Sequence, residues 1–303
     1  MGAARFLRGL VCRVDPRRLT VVVNTGDDEH FYGLHVSPDI DTVIYTLGGV
    51  VNPTNGWGLK GDSFNVLGAL ERFHGKAWFA LGDRDLATHL FRAAQLNMSV
   101  ALSRVTERIA ESFGVRARVL PMSNHRVRTF VKLRGKPALP FQEYFVRGRA
   151  RGVVERIELR GIGRARALPA VFAAIRESAA IVLAPSNPFV SLGPILGLRG
   201  VRDALRAVRR RVAAISPIVG GRTIKGPADK MMRGLGHEVS PLGVARLYRD
   251  IAGTFVLDKV DRDYAEAIRQ LGMRPVVTDT LMVSPARAAR LADVVLRALG
   301  VYA

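Results

Sequence analysis

The sequence predicts an α/β fold: a mostly parallel sheet with helices on both of its faces and a helical insertion. Short β-branched runs recur along the 303 residues, helix-period segments separate several of them, and almost every run ends in small polar or acidic residues. Strands alternating with crossover helices are the mark of a parallel sheet, and ligands of such sheets bind outside the carboxyl ends of the strands.

The chain opens MGAARFLRGL, a glycine running straight into a helical pattern, and LTVVVN (19–24) is the first strand-like run. Residues 62–113 lack any such run and form the predicted helical insertion within a single unit spanning 1–303. Ser99 is placed there to cap a helix carrying Leu102, Val105, Ile109 and Phe113, and Gly114 to end it. Between 126 and 160, VRTFVKL, ALPFQEYFVRGR and VVERIEL alternate as additional antiparallel strands. AIVLAP (180–185), VAAISP (212–217), TFVLDK (254–259) and PVVTDT (275–280) continue the parallel sheet. VRDALRAVRRRV, before the second of these, predicts a helix with Val201, Leu205, Val208 and Val212 under a solvated arginine face. Ser284–Pro285 opens the last helix and Gly300 closes it.

Composition excludes several classes. Cys12 is the only cysteine, so no disulfide framework or thiolate zinc site forms within one chain. No run approaches the ~20 apolar residues that cross a bilayer, and Arg5, Arg8, Arg13, Arg17 and Arg18 break up any signal peptide; a cytoplasmic protein with no membrane partner is expected. The net charge of +20 is spread from end to end with only 7% aromatics, which argues against nucleic acid and for anionic small molecules.

The polar strand ends, Asn24, Thr25, Asp27 and Asp28, Ser186 and Asn187, Ser216, Asp258, Thr278 and Asp279, should converge on one crevice. Asp27, Asp28, Asp39 and Asp41 form two acidic clusters that could hold magnesium beside phosphate, although aspartates also serve as turn and cap residues. In GDRDLATHLFR (82–92), Asp85 is a candidate helix cap, Arg84 lies between two acids, and His89 follows one turn later. APSNPFVSLGPILG (184–197) is a stiff loop offering hydroxyls, an amide and backbone N–H groups, and Lys225 and Lys230 follow Gly220–Gly221. P-loop, complete dinucleotide, serine-hydrolase and zincin motifs are all missing.

VVNTGDD (22–28), SPDIDTVIYTLGG (37–49), GWG (56–58), WFALGDRDLATHL (78–90), LPMS (120–123), FQEYFV (141–146), APSNPFVSLGPIL (184–196), SPIVGG (216–221), KGPADKMM (225–232) and TDTLM (278–282) together resemble one family over essentially the whole chain. It is the 2-phospho-L-lactate transferases, the CofD- and FbiA-like enzymes that assemble the deazaflavin coenzyme F-420. The resemblance implies a Rossmann-like fold with an inserted lid, Mg2+ dependence and a homodimer. It implies transfer of a 2-phospholactyl or phosphoenolpyruvyl group from a guanosine-diphosphate-activated donor to the deazaflavin Fo, with release of GMP. By resemblance Asp41 and Asp27 are catalytic; Asp27, Asp39 and Asp41 hold metal; Asp41, Arg84 and Asp83 contact Fo; and Gly2, Asn24, Ser186, Asn187, Ser191 and Gly193 bind nucleotide.

Two departures stand out. Asn124 and His125 replace the acidic residues that follow LPMS in the family, and the opening resembles only the second half of a GGxGxxR/K loop, without its preceding strand. Met1 is therefore expected to be an internal start within a phosphate loop. A nucleotide-sugar-binding regulator, resembling a gluconeogenesis-factor family of the same fold, is the alternative, and it gives no reason for the GDRDLATHL and FQEYFV stretches.

Overall fold

The computed structural model describes residues 2–301; Met1, and with it the expected internal start, lies outside them. Helix α1 (Gly2–Leu10) leads to β1 (Thr20–Val23), the hairpin β2 (Glu29–Phe31) and β3 (Leu34–Val36), and α2 (Pro38–Leu47). Next come α3 (Asn65–His74), α4 (Asp83–Asn97) and α5 (Leu102–Ser112), then β4 (Arg118–Pro121). The antiparallel group is β5 (Arg128–Leu133), β6 (Ala138–Pro140) and β7 (Val154–Arg160). There follow α6 (Pro169–Glu177), β8 (Ile181–Leu183), α7 (Leu192–Leu196), α8 (Val201–Ala207) and β9 (Val212–Ile215). The hairpin β10 (Ile218–Val219) and β11 (Arg222–Thr223) precedes α9 (Ala228–Gly234) and α10 (Pro241–Tyr248). The chain closes with β12 (Thr254–Asp258), α11 (Ala265–Gln270), β13 (Arg274–Thr278) and α12 (Pro285–Ala298).

The α/β class is as the sequence predicts, with one change in the sheet. Four of the expected runs form a parallel sheet in the order β13-β12-β9-β8, whereas β1 pairs in parallel with β4 as a separate ribbon. The two parts share both cores. Val23 and Val119 pack with Ala213, Ile215 and Val256 beneath α1, α2, α5 and α12. Leu120 packs with Leu183, Ala214 and Leu257 beneath α6, α8, α10 and α11. Successive strand residues face opposite sides, so this division of side chains puts both parts in one layer with helices above and below. A side-chain bond rather than a ladder ties their ends: Asn24, just past β1, donates through Nδ2 to the carbonyl of Val190, beyond β8, at 3.1 Å.

Other expectations shift by local causes. Residues 62–113 carry three helices, α3, α4 and α5, and Val105 and Ile109 of α5 pack in the main core. Ser99 adopts φ 61° as α4 ends, and Ala101, with no side-chain bond, precedes α5. Asp85 lies inside the first turn of α4, whose cap position is Gly82. The 201–212 pattern breaks after Ala207, so Val212 starts β9. Its arginines are less solvated than predicted, because Arg209 donates to the carbonyls of Arg249 and Gly272, and Arg211 to those of Ser178 and Arg176. Such carbonyls at element ends lack intrahelical partners, and guanidinium groups satisfy them. FQEYFV is not a strand: residues 143–147 form a π-helical turn, with only Ala138–Pro140 pairing before it. Ser284 and Gly300 bound α12 as expected.

Candidate active site

A cavity of ≈490 Å³ opens at the strand ends, lined by Gly2, Asp27, Asp39, Asp41, Ser186, Asn187, Ser191 and Ser216 among others. Its polar floor begins where β1 stops. Asn24 Oδ1 accepts from the Gly26 amide at 2.7 Å, and its Nδ2 also reaches Asp39 Oδ2 at 3.0 Å. One buried amide thus fixes the loop after β1, the start of α2 and the loop after β8. Asp39 and Asp41 occupy the first turn of α2, where the helix dipole favours negative charge. Asp27 is buried, with Oδ1 unpartnered among the described residues. Burial, and then the negative charge of Asp39, push its carboxyl well above the usual carboxylate range, although the polar groups of Thr129 and Asn24 nearby pull the other way.

These residues fit a magnesium ion. Mg2+ takes one or two carboxylates and completes its shell with water and substrate phosphate; Asp27, with an unused buried oxygen, and neighbouring Asp39 supply that number. Among the described residues no three acidic, His or Cys side chains gather as a metal cluster. Asp41 is engaged otherwise.

Arg92, fully buried, grips Asp41 with both terminal nitrogens, Nη1 at 3.1 Å from Oδ2 and Nη2 on Oδ1. Arg92 Nη1 also lies 3.2 Å from His89 Nδ1. A guanidinium only donates, so Nδ1 is the acceptor and the His89 proton sits on Nε2, 3.4 Å from Asp85 Oδ2. Tyr45 completes the chain, its hydroxyl 2.7 Å from Asp85 Oδ1 and 2.9 Å from Thr88 Oγ1. Burial works against ionised Asp85, but His89, Tyr45 and Arg92 hold its carboxyl below the ordinary range. Asp41 is therefore an oriented carboxylate, held on one side and facing the cavity.

The remaining wall is aromatic. Trp57, Trp78, Phe79, Phe141 and Phe145 line the cavity. Phe79 stacks on Phe31 at 4.2 Å, Trp78 meets Phe31 edge-on at 5.2 Å, and Phe141 stacks on Phe145 at 5.4 Å. The π-helical turn that follows Phe141 carries Phe145, a common use of π-bulges near ligands. In the loop after β8, Asn187 Oδ1 accepts from the Phe189 amide, while the Ser186 and Ser191 hydroxyls have no partner among the described residues.

Of the residues predicted from sequence, Gly2, Asp27, Asp39, Asp41, Ser186, Asn187 and Ser191 meet at the cavity. Asn24 supports it from behind, and Gly193 lies within α7 off its lining. Asp83 and Arg84 are not brought in. Asp83 accepts from the Ser63 hydroxyl and the Asn65 and Val66 amides, organising the start of α3, and Arg84 donates outward to the Lys60 carbonyl. Both stand at the outer face of the first turn of α4, whereas Asp85 and His89 are on its inner face. Sequence reasoning missed Tyr45, Arg92 and the aromatic wall. The signal for Arg92 was its spacing of three and seven from His89 and Asp85, which puts all three on one helical face.

An α/β sheet that gathers carboxylates, a hydroxyl-bearing loop and an aromatic wall at its strand ends is the setting of a small-molecule site. The chain matches the family described as 2-phospho-L-lactate transferase CofD over residues 1–295, and it belongs to that family. It is 40% identical over 298 residues to a phosphoenolpyruvate transferase of Kitasatospora aureofaciens, covering 96% of this chain and 93% of that one. It is 35% identical over 297 residues to a 2-phospho-L-lactate transferase of Methanosarcina mazei, covering 98% and 97%. Protein BH3568 of Bacillus halodurans, a member of the UPF0052 family, superposes with a TM-score of 0.62 at 17% identity, covering 98% and 96%; that likeness shows the fold. No helix among the described residues is long and apolar enough to cross a membrane.

Proposed function

We propose that this chain transfers a 2-phospholactyl or phosphoenolpyruvyl group from a guanosine-diphosphate-activated donor to the hydroxyl of the deazaflavin Fo, releasing GMP. The observation that carries this reading is one cavity lined both by flat aromatic rings and by buried carboxylates beside a hydroxyl-bearing loop. The aromatic wall suits a planar heterocycle, and the loop with Ser186 and Ser191 suits a diphosphate.

In the reaction the acceptor hydroxyl oxygen attacks the phosphorus that carries the three-carbon acid. The bond from that phosphorus to the bridging oxygen breaks, GMP leaves with the electron pair, and the hydroxyl proton passes to a base or to water. Catalysis of this kind is mostly positioning and charge stabilisation. Asp27 and Asp39 would hold Mg2+, which when bound neutralises diphosphate charge. Asp41, oriented by Arg92, faces the acceptor; Asn24 keeps Asp39 and the phosphate loop in register; and the rings exclude water from the acceptor's plane.

Purified protein incubated with Fo, magnesium and either the lactyl or the enolpyruvyl guanosine donor should give a deazaflavin phosphodiester of matching mass. Folded protein that yields none from either donor overturns the proposal. Tight donor binding without product would instead favour the nucleotide-binding regulator.

A further inference from the structure

The outer face of α12 borders a second cavity, of ≈330 Å³, to which the helix gives Arg287, Arg290 and Arg297, and the end of β13 gives Thr278 and Asp279. Arg287, Arg290, Val294 and Arg297 recur at three, four and three residues, a spacing that puts three guanidinium groups on one helical face. The other side of α12, with Ala292, Val295 and Leu296, packs in the core, so this face cannot turn away. Charge in the cavity is not balanced. Two carboxylates share it, and each already has a partner: Asp279 Oδ2 lies 3.3 Å from Arg287 Nη1, and Asp293 Oδ2 lies 3.0 Å from Arg13 Nε. Arg290 and Arg297 meet no acceptor among the described residues, and the Thr278 hydroxyl donates to none. An arginine standing alone on a surface needs no ligand, but two of them lining one concavity with a hydroxyl form a donor set for an anion.

We propose that this cavity is a second ligand site, separate from the active-site cavity, and that it takes an anion of two or more linked phosphate groups. Arg290 and Arg297 are two helical turns apart, about 10 Å along the axis, a span that a phosphate chain bridges and a single phosphate does not. Each guanidinium fork bonds phosphate oxygens in pairs, and the Thr278 hydroxyl donates to a further one. The site adjoins the catalytic one through a single stretch of chain. Asp279 Oδ1 accepts from the Leu281 amide at 3.0 Å, and residues 280–283 line the active-site cavity. A phosphate bound beside α12 competes with Asp279 for Arg287, so its occupancy bears on that wall.

Isothermal titration of the magnesium-free protein with inorganic triphosphate, at fixed ionic strength, tests the site without any assay of activity. The active-site cavity is itself open to phosphates, so the readout is a difference between proteins. The wild type should bind one equivalent more than the double variant Arg290→Gln, Arg297→Gln, shown folded by circular dichroism. The double variant Arg290→Lys, Arg297→Lys keeps the charge but not the paired bonds, and should hold that equivalent roughly tenfold more weakly. Orthophosphate should bind the wild-type site more weakly by a similar factor. Equal stoichiometry in the wild type and the Gln variant, a Lys variant as tight as the wild type, or orthophosphate as tight as triphosphate each overturns the proposal.

Discussion

Arg92 is the side chain on which the site's geometry turns. Its buried charge is held by Asp41 and by His89 Nδ1. Removing one partner of such a buried pair leaves an uncompensated charge, at a cost of about 3–5 kcal/mol. Arg92→Met should therefore lower the free energy of unfolding by that order, read from denaturant titration. Combining it with Asp41→Asn should restore part of the loss, because the stranded carboxylate is then gone. Equal losses in the single and double variants would show that the pair does not hold the core in this way.

Asp27 makes a complementary prediction about pH. Burial and Asp39 raise its carboxyl in the folded protein above the ordinary 3.8, so between those two values the native state binds the extra proton. The sign of linkage follows: as pH rises through that window this group's contribution is lost, and the folded protein keeps an ionised carboxylate in an unfavourable place. Without magnesium, Asp27→Asn should have the higher thermal midpoint near neutral pH, and the gap should shrink as pH falls toward the ordinary carboxylate value. A wild type that gains stability over the variant with rising pH contradicts this. Added magnesium should raise the wild-type midpoint more than that of the variant.

At the scale of elements, α1 shows how small residues place the site. A Cβ on Gly2 would sit 2.0 Å from the carbonyl oxygen of Pro185, and one on Gly9 would meet the Ala288 backbone at 2.2 Å. The helix thereby approaches both the loop after β8 and α12. Gly9→Val should cost at least the ~1–3 kcal/mol of an overpacked contact, read as a fall in thermal midpoint; an unchanged midpoint would mean that α1 shifts freely. The helix was legible in the sequence, and so were the strand ends bearing Asn24, Asp27, Ser186 and Asn187, because short-range patterns encode both. FQEYFV was legible as important but not as a π-turn, since its aromatics alternate as a strand's do. Arg92 and Tyr45 stayed hidden for another reason. The spacing that sets Arg92 on one helical face with Asp85 and His89 was there to be read, but the carboxylate that pairs with it, Asp41, is 51 residues away and leaves no local mark.

For the whole molecule, parallel strands and crossover helices were readable from the β-branched runs, but the division into β1–β4 and the four-stranded sheet was not, because pairing between distant strands leaves no local mark. Net charge acts at this scale as well. A cationic protein draws anions toward its clefts, and salt screens that attraction over a Debye length of about 8–10 Å at 0.1–0.15 M. Raising ionic strength should therefore increase KM for the guanosine diphosphate donor several-fold while changing KM for uncharged Fo little. Equal responses would assign the surface arginines no part in donor capture.

The central claim is coupled transfer, so the decisive measurement follows GMP and the deazaflavin phosphodiester together during turnover with magnesium and each donor. The account predicts that both appear in equal amounts and that GMP release stops when Fo is omitted. GMP released at the same rate without Fo, or donor bound with neither product formed, would contradict it.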